Sequence, residues 1–130
     1  MGKLMLGMAL GLALAACAPV QPVLVPSSWQ VVTLDGRSLT AGDNVTLEIA
    51  EGRVSGVSGC NRYTGPIELG EDNAISFGLL ATTRMACPGE AAEIEAAFLH
   101  QMGRIGSYRM ERGALVLYAR GAEVMRARRQ

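Results

Sequence analysis

From Ser28 onward, apolar residues recur with a period of two in short runs separated by glycine-containing turns. That spacing puts alternate side chains on one face and predicts antiparallel strands with a single buried side. Val45, Leu47 and Ile49 share a face with Thr46 and Glu48 opposite, the cleanest half-buried strand in the chain. Glu51-Gly52 then supplies a two-residue turn before the run 53–57, so these two strands pair as a hairpin. Trp29, Val31 and Thr33 alternate with Gln30, Val32 and Leu34 until Asp35-Gly36 turns the chain. Further strands are predicted over 64–69, 75–80, 107–110, 114–118 and 123–127, divided by Gly70-Glu71-Asp72-Asn73, Arg112-Gly113 and Arg120-Gly121. Leu115-Val116-Leu117 is apolar on both faces, which predicts a central strand covered by another layer.

The covering layer is the one segment with helical spacing, 88–102. At 100° per residue Ala91, Ile94, Phe98, Met102 and Ile105 fall on one side, with Glu93, Ala96 and His100 opposite. Pro88 suits a first helical turn, Glu90, Glu93 and Glu95 complement the positive end of the helix, and Gly103 or Gly106 can stop it. The expected fold class is α+β: a curved antiparallel sheet of about seven or eight strands, a partly open barrel, with one packed amphipathic helix. Aromatic residues are few, so the core is built from Val, Leu, Ile, Met and Ala and gains from a covalent staple.

The first sixteen residues do not fit this pattern. Lys3 precedes an uninterrupted apolar or glycine run over 4–13 and then small residues, the organisation of an export signal. The run is shorter than the roughly twenty residues that span a bilayer. Its end, Leu14-Ala15-Ala16-Cys17, resembles the lipobox of bacterial lipoproteins. That resemblance implies diacylglyceryl modification of Cys17, removal of residues 1–16 and acylation of the new terminus, which together give stable anchoring. Ala18 in place of an aspartate resembles outer-membrane sorting in Gram-negative lipoproteins. Residues 17–27 hold three prolines and read as an extended tether, leaving 28–130 as the domain.

Lys3 is the only lysine, so removing it leaves eleven arginines against twelve carboxylates, a net charge of about minus one. Nucleic acid is therefore not an expected partner. The charge is uneven, however: beyond Ile105 come Arg109, Arg112, Arg120, Arg126, Arg128 and Arg129, against Glu111 and Glu123. This is either a basic solvated strand and tail or a surface attracted to anionic lipid headgroups beside the anchor.

With Cys17 assigned to lipid, Cys60 and Cys87 remain, and in an oxidising compartment an even pair most simply forms a disulfide. A zinc site would need two more ligands, and the only histidine, His100, falls on the outer face of its helix. A Cys/His nucleophile pair would need a free thiolate and an orienting third group. No metal or cofactor site is expected.

Two stretches are more specific than the pattern around them. Val54-Ser55-Gly56-Val57-Ser58-Gly59-Cys60-Asn61-Arg62-Tyr63-Thr64-Gly65 and Thr83-Arg84-Met85-Ala86-Cys87-Pro88, in this order, resemble the META domain, the HslJ-like family of bacterial envelope lipoproteins. The resemblance spans Ser28 to about Arg126. It implies a curved antiparallel sheet with a packed helix, no known catalytic activity, and an association with the envelope and with heat or drug stress. A likeness in fold to small pilot lipoproteins of secretion systems suggests binding of protein or of lipid tails, by analogy at the level of fold.

The motif residues also have plain structural roles. Gly59 and Gly65 suit backbone conformations closed to other residues, Asn61 suits a turn whose side chain bonds nearby backbone, and Thr82 and Thr83 favour a strand. Arg84 either braces carbonyls or pairs with Glu68 or Glu71, or else meets a ligand or partner carboxylate. Gly59, Asn61, Arg62, Thr83, Arg84 and Met85 are the candidate partner surface.

A Ser/His/Asp set, a carboxylate pair at recognisable spacing and a phosphate-cradling loop are all missing from the sequence, so catalysis is not expected. The expected function is a monomeric, membrane-held structural or interaction module in envelope stress, facing the periplasm and contacting an envelope protein or lipid. The alternative is a lipoprotein inhibitor of lysozyme-type or protease enzymes, with 61–65 or 35–43 as the inserting loop.

Overall fold

The structure is a computed structural model that describes residues 24–130, together with Gly2, Gly11 and residues 13–15. Cys17, most of the leader and residues 17–23 of the tether lie outside the described residues. In chain order the elements are β1 (Ser27–Leu34), β2 (Arg37–Ser38), a 3-10 turn (Ala41–Asp43), β3 (Thr46–Ala50), β4 (Arg53–Val57), β5 (Arg62–Leu69), β6 (Ile75–Phe77), β7 (Ala81–Thr82), α1 (Glu90–Met102), β8 (Ser107–Glu111), β9 (Ala114–Ala119) and β10 (Ala122–Arg129).

All pairings are antiparallel, and the main path runs β6-β5-β4-β3-β1-β10-β9-β8, with β2 on β1 and β7 on β5. The two ends of the path meet. Ala74 bridges Ser107, the Ile75 N–H donates to the Gly106 carbonyl at 3.2 Å, and the Tyr108 N–H to the Asn73 carbonyl at 3.0 Å. The sheet is thus a nearly closed barrel with one helix, as the alternation and the single helical run predict. Eight strands make the path, and the two extra ones are two residues each.

The core follows the expected faces. Trp29, Val31, Val45, Leu47, Ile49, Val54, Leu115 and Leu117 are buried from the strands, and Ile94, Phe98 and Met102 from the helix. The Phe98 ring lies 5.1 Å from that of Tyr63, tilted by 53°, so the helix is keyed into β5. The Trp29 indole N–H finds its partner in Ser27 Oγ at 2.6 Å. Leu24, which the sequence places in the tether, is buried with the core, so the packed domain begins ahead of Ser28.

Four expectations are corrected. Leu34 rather than Thr33 faces inward, because the register of β1 on β10 shifts between Val31 and Thr33 and the bulge turns the next side chain over. Of the run 75–80 only 75–77 is strand, as β6, and pairing resumes in β7 after a gap opposite Pro66. The nitrogen of that residue faces these strands without a proton to donate, while its carbonyl accepts from the Gly78 N–H at 3.0 Å. The helix starts at Glu90 after a Gly89 with φ of 59°, leaving Pro88 outside it and exposed. Lastly, Val116 is fully buried but stands apart from the core under the helix. It is flanked in register by Arg109, which lies over the Tyr118 ring, and by Arg126, which pairs with Glu111 and Glu123. The arginine-rich last strand packs well on this account: Val124, Met125 and Ala127 are buried, and β10 is paired on both edges.

Candidate functional site

The two motif stretches come together where β4 turns into β5, at the first turns of α1. Asn61 joins them. Its side-chain oxygen accepts from the Met85 N–H at 2.6 Å and from Thr83 Oγ1 at 2.9 Å, and its amide nitrogen donates to Glu95 Oε2 at 2.9 Å and to the Met85 carbonyl at 3.3 Å. The residue is 5% exposed, and each of these bonds reaches at least twenty-two positions along the chain. Asn61 is therefore a long-range clasp, not the local turn former expected. Thr83 extends the seam: its hydroxyl accepts from the Arg62 N–H at 3.1 Å and its own N–H donates to the Arg62 carbonyl at 3.0 Å.

Glu95 closes the clasp from the helix. Its Oε1 lies 2.5 Å from Ser58 Oγ and accepts the Asn61 N–H at 2.9 Å. Partial burial pushes its pKa up, but the hydrogen bonds from Ser58 and from the side chain and backbone of Asn61 outweigh that and hold it below the ordinary carboxylate value. Glu95 is thus an ionised anchor. Gly59 allows the helix this close: its φ is +100°, and a Cβ there would stand 3.1 Å from Ile94 Cγ2. Gly65 has another reason, since its φ is not positive and a side chain would strike Leu80 Cδ2 at 2.6 Å. Cys60 and Cys87 are bonded beside the clasp, with Cα atoms 6.1 Å apart, inside the ordinary disulfide range.

The candidate residues divide into two sets. Gly59, Asn61, Thr83, Cys60 and Cys87 hold the corner together, whereas Arg62, Arg84 and Met85 face outward. Arg84 is exposed and makes none of the expected bonds to carbonyls, to Glu68 or to Glu71. Met85 is 59% exposed although its backbone N–H and carbonyl are both engaged, and Leu79, earlier in the same segment, is 94% exposed. Between that segment and the helix runs an apolar groove of about 480 Å³ lined by Phe77, Leu79, Leu80 and Leu99. The stretch 61–65, one of the two expected inserting loops, is a buried asparagine followed by β5. The other, 35–43, carries β2 and the 3-10 turn and is tied down by the Thr40 N–H donating to Asp43 Oδ2 at 2.6 Å.

Sequence reasoning missed Glu95 and Ser58. Glu95 follows the inward-facing Ile94 and so sits at the border of the buried stripe, where an acid can turn in as well as out. Its assignment to the helix dipole hid that. His100 is exposed, and among the described residues no group of three or more His, Cys, Asp or Glu side chains is placed to hold a metal ion.

Comparison with known proteins agrees with this geometry. The family model described as the META domain matches residues 22–130. A solved structure described as the NMR structure of the protein from Burkholderia xenovorans is similar with a TM-score of 0.64 and 26% identity, covering 91% of this chain and 97% of that one. A second NMR structure, 20% identical, has a TM-score of 0.63 over 82% of this chain and 93% of its own, a likeness of fold. None of the curated proteins compared matches the chain.

Proposed function

The chain belongs to the META domain family, and on that premise we propose that it is a non-catalytic interaction module of the bacterial envelope, supporting tolerance of heat or drug stress. In this reading the leader is removed, Cys17 carries the lipid anchor, and the domain faces the periplasm from the outer membrane. The observation that carries the interaction role is the segment 78–88. Leu79, Arg84 and Met85 are presented to solvent from a backbone that Asn61, Glu95 and the disulfide hold in place. Ordered apolar and cationic side chains that contribute nothing to the core are what a docking surface offers to a partner.

A photo-crosslinking residue placed at Leu79 or Met85 of the full chain in living bacteria tests it. Adducts with an envelope protein at these positions, and none from the same residue at Arg120, are the expected result. Equal capture at all three positions, or none, counts against the reading. Intact mass of the exported protein tests the anchor separately, since acylation at Cys17 adds a mass that no change in the domain can imitate.

A further inference from the structure

We propose that the end of the barrel where β10 finishes is a docking surface for anionic phospholipid headgroups, a role resting on the proposed anchorage at Cys17. Arg112, Arg126, Arg128 and Arg129 line one recess of about 900 Å³ with Glu111, Gly113 and Ala114. The one carboxylate there is already engaged: Glu111 Oε2 lies 3.0 Å from Arg126 Nη2, and Arg126 also holds Glu123 at 2.6 Å. Hydrogen bonds from Arg126 and from the Tyr118 hydroxyl hold the Glu111 carboxyl below its ordinary value, so it stays paired. Arg129 lies over the Trp29 ring at 4.7 Å. Arg112 and Arg128 are exposed and have no carboxylate within ion-pair distance among the described residues.

The position of this recess selects its occupant. Trp29 is paired with Arg129 and Gln30 with Arg128, and the Gln130 N–H donates to the Ser28 carbonyl at 2.9 Å. The chain running back toward Cys17 therefore leaves the domain beside these arginines. Arg112 joins them because Ala114, at the other end of its turn, is paired with Arg128. Seven positions separate Cys17 from the buried Leu24, a reach of at most about 25 Å. An anchor on so short a lead keeps this end of the barrel near the membrane surface, where a basic cluster and negative headgroups attract one another within a Debye length. A cluster on the far end of the barrel would feel none of this, and Arg120, in the turn between β9 and β10 at that far end, is a matched control.

The test is amide hydrogen exchange of the full chain on vesicles of phosphatidylcholine alone and of phosphatidylcholine with about 30% phosphatidylglycerol. Exchange over 111–114 and 126–130 is expected to slow about five-fold or more on the anionic vesicles only, since each arginine near such a surface shifts the equilibrium between undocked and docked domain by about that factor. The protection should vanish at about 0.5 M salt and in the R112Q/R128Q variant, and persist in R120Q. Equal exchange on the two vesicles overturns the proposal, as does loss of protection in R120Q or the same protection from inorganic phosphate without vesicles. Intact mass keeps the two readings apart. An acylated chain without protection sinks the docking surface alone, and an unacylated chain sinks the anchorage on which it rests.

Discussion

Glu95 and Asn61 form a concentrated polar arrangement, and their chemistry predicts a measurable pH response. A carboxylate whose pKa is depressed in the fold adds stability that is fully present above its ordinary value of 4.5 and is lost as pH falls through the lower folded value. Glu95→Gln keeps the shape but puts an uncharged amide against Ser58 and Asn61, whose donors were arranged for an anion. It should cost about 1–3 kcal/mol at neutral pH, read from urea unfolding. The gap between the wild type and E95Q should narrow as pH drops below 4.5. Asp43 and Glu111 are also held low, by bonds from Thr40 and Arg126, but both are common to the two proteins and cancel in that difference. A gap that stays constant from pH 7 to pH 3 would show that the charge on Glu95 is not what the clasp uses.

Among the elements, the segment around β7 is the one whose order depends on partners outside it. Of its eleven residues, 78–88, only Ala81 and Thr82 are in a strand, and Leu79 and Met85 bury little apolar surface. The disulfide ties it across 27 positions to the start of β5. Closing a loop of that length limits the unfolded chain and contributes about 3–4 kcal/mol on the chain-entropy model. Cys60→Ser with Cys87→Ser should lower the urea midpoint accordingly, with an unchanged fold by circular dichroism at low denaturant. If the double variant matches the oxidised wild type in stability, Asn61 and Glu95 alone hold the segment. The break between β6 and β7 was not legible beforehand, because the alternation of apolar residues over 75–80 looks continuous. What interrupts it is Pro66 on the neighbouring strand, and a strand's own pattern carries no record of what its partner can donate.

At the scale of the whole molecule, the helix and the barrel share one core, so neither is expected to be stable alone. Phe98 of α1 is fully buried against Tyr63, whose own hydroxyl donates to the Thr46 carbonyl at 2.6 Å. Burial, with Glu48 nearby, pushes the Tyr63 pKa up, so it remains a donor throughout the physiological range. Phe98→Ala should cost about 3–5 kcal/mol, by lost apolar transfer and the cavity left behind. Because the core is shared, helix and sheet signals should still unfold together in one transition. Separate transitions would mean that the helix is a detachable layer.

Most strand positions, the hairpin turns, the inward stripe of α1 and the α+β class were written in local spacing, because side-chain direction alternates along a strand and recurs every 3.6 residues along a helix. The two motif stretches were legible as well, through their resemblance to the META domain and not through spacing. The tertiary structure alone decided what those residues do. Asn61 and Glu95 are thirty-four positions apart, and no periodicity states that one accepts the other's hydrogen bonds. Closure through Ala74 and Ser107, the bulges that turn Leu34 and Met125 inward, and the gathering of Arg112, Arg128 and Arg129 around one recess likewise belong to the register between strands. Register is an agreement between two distant segments, settled by the packing of both, and neither segment contains it.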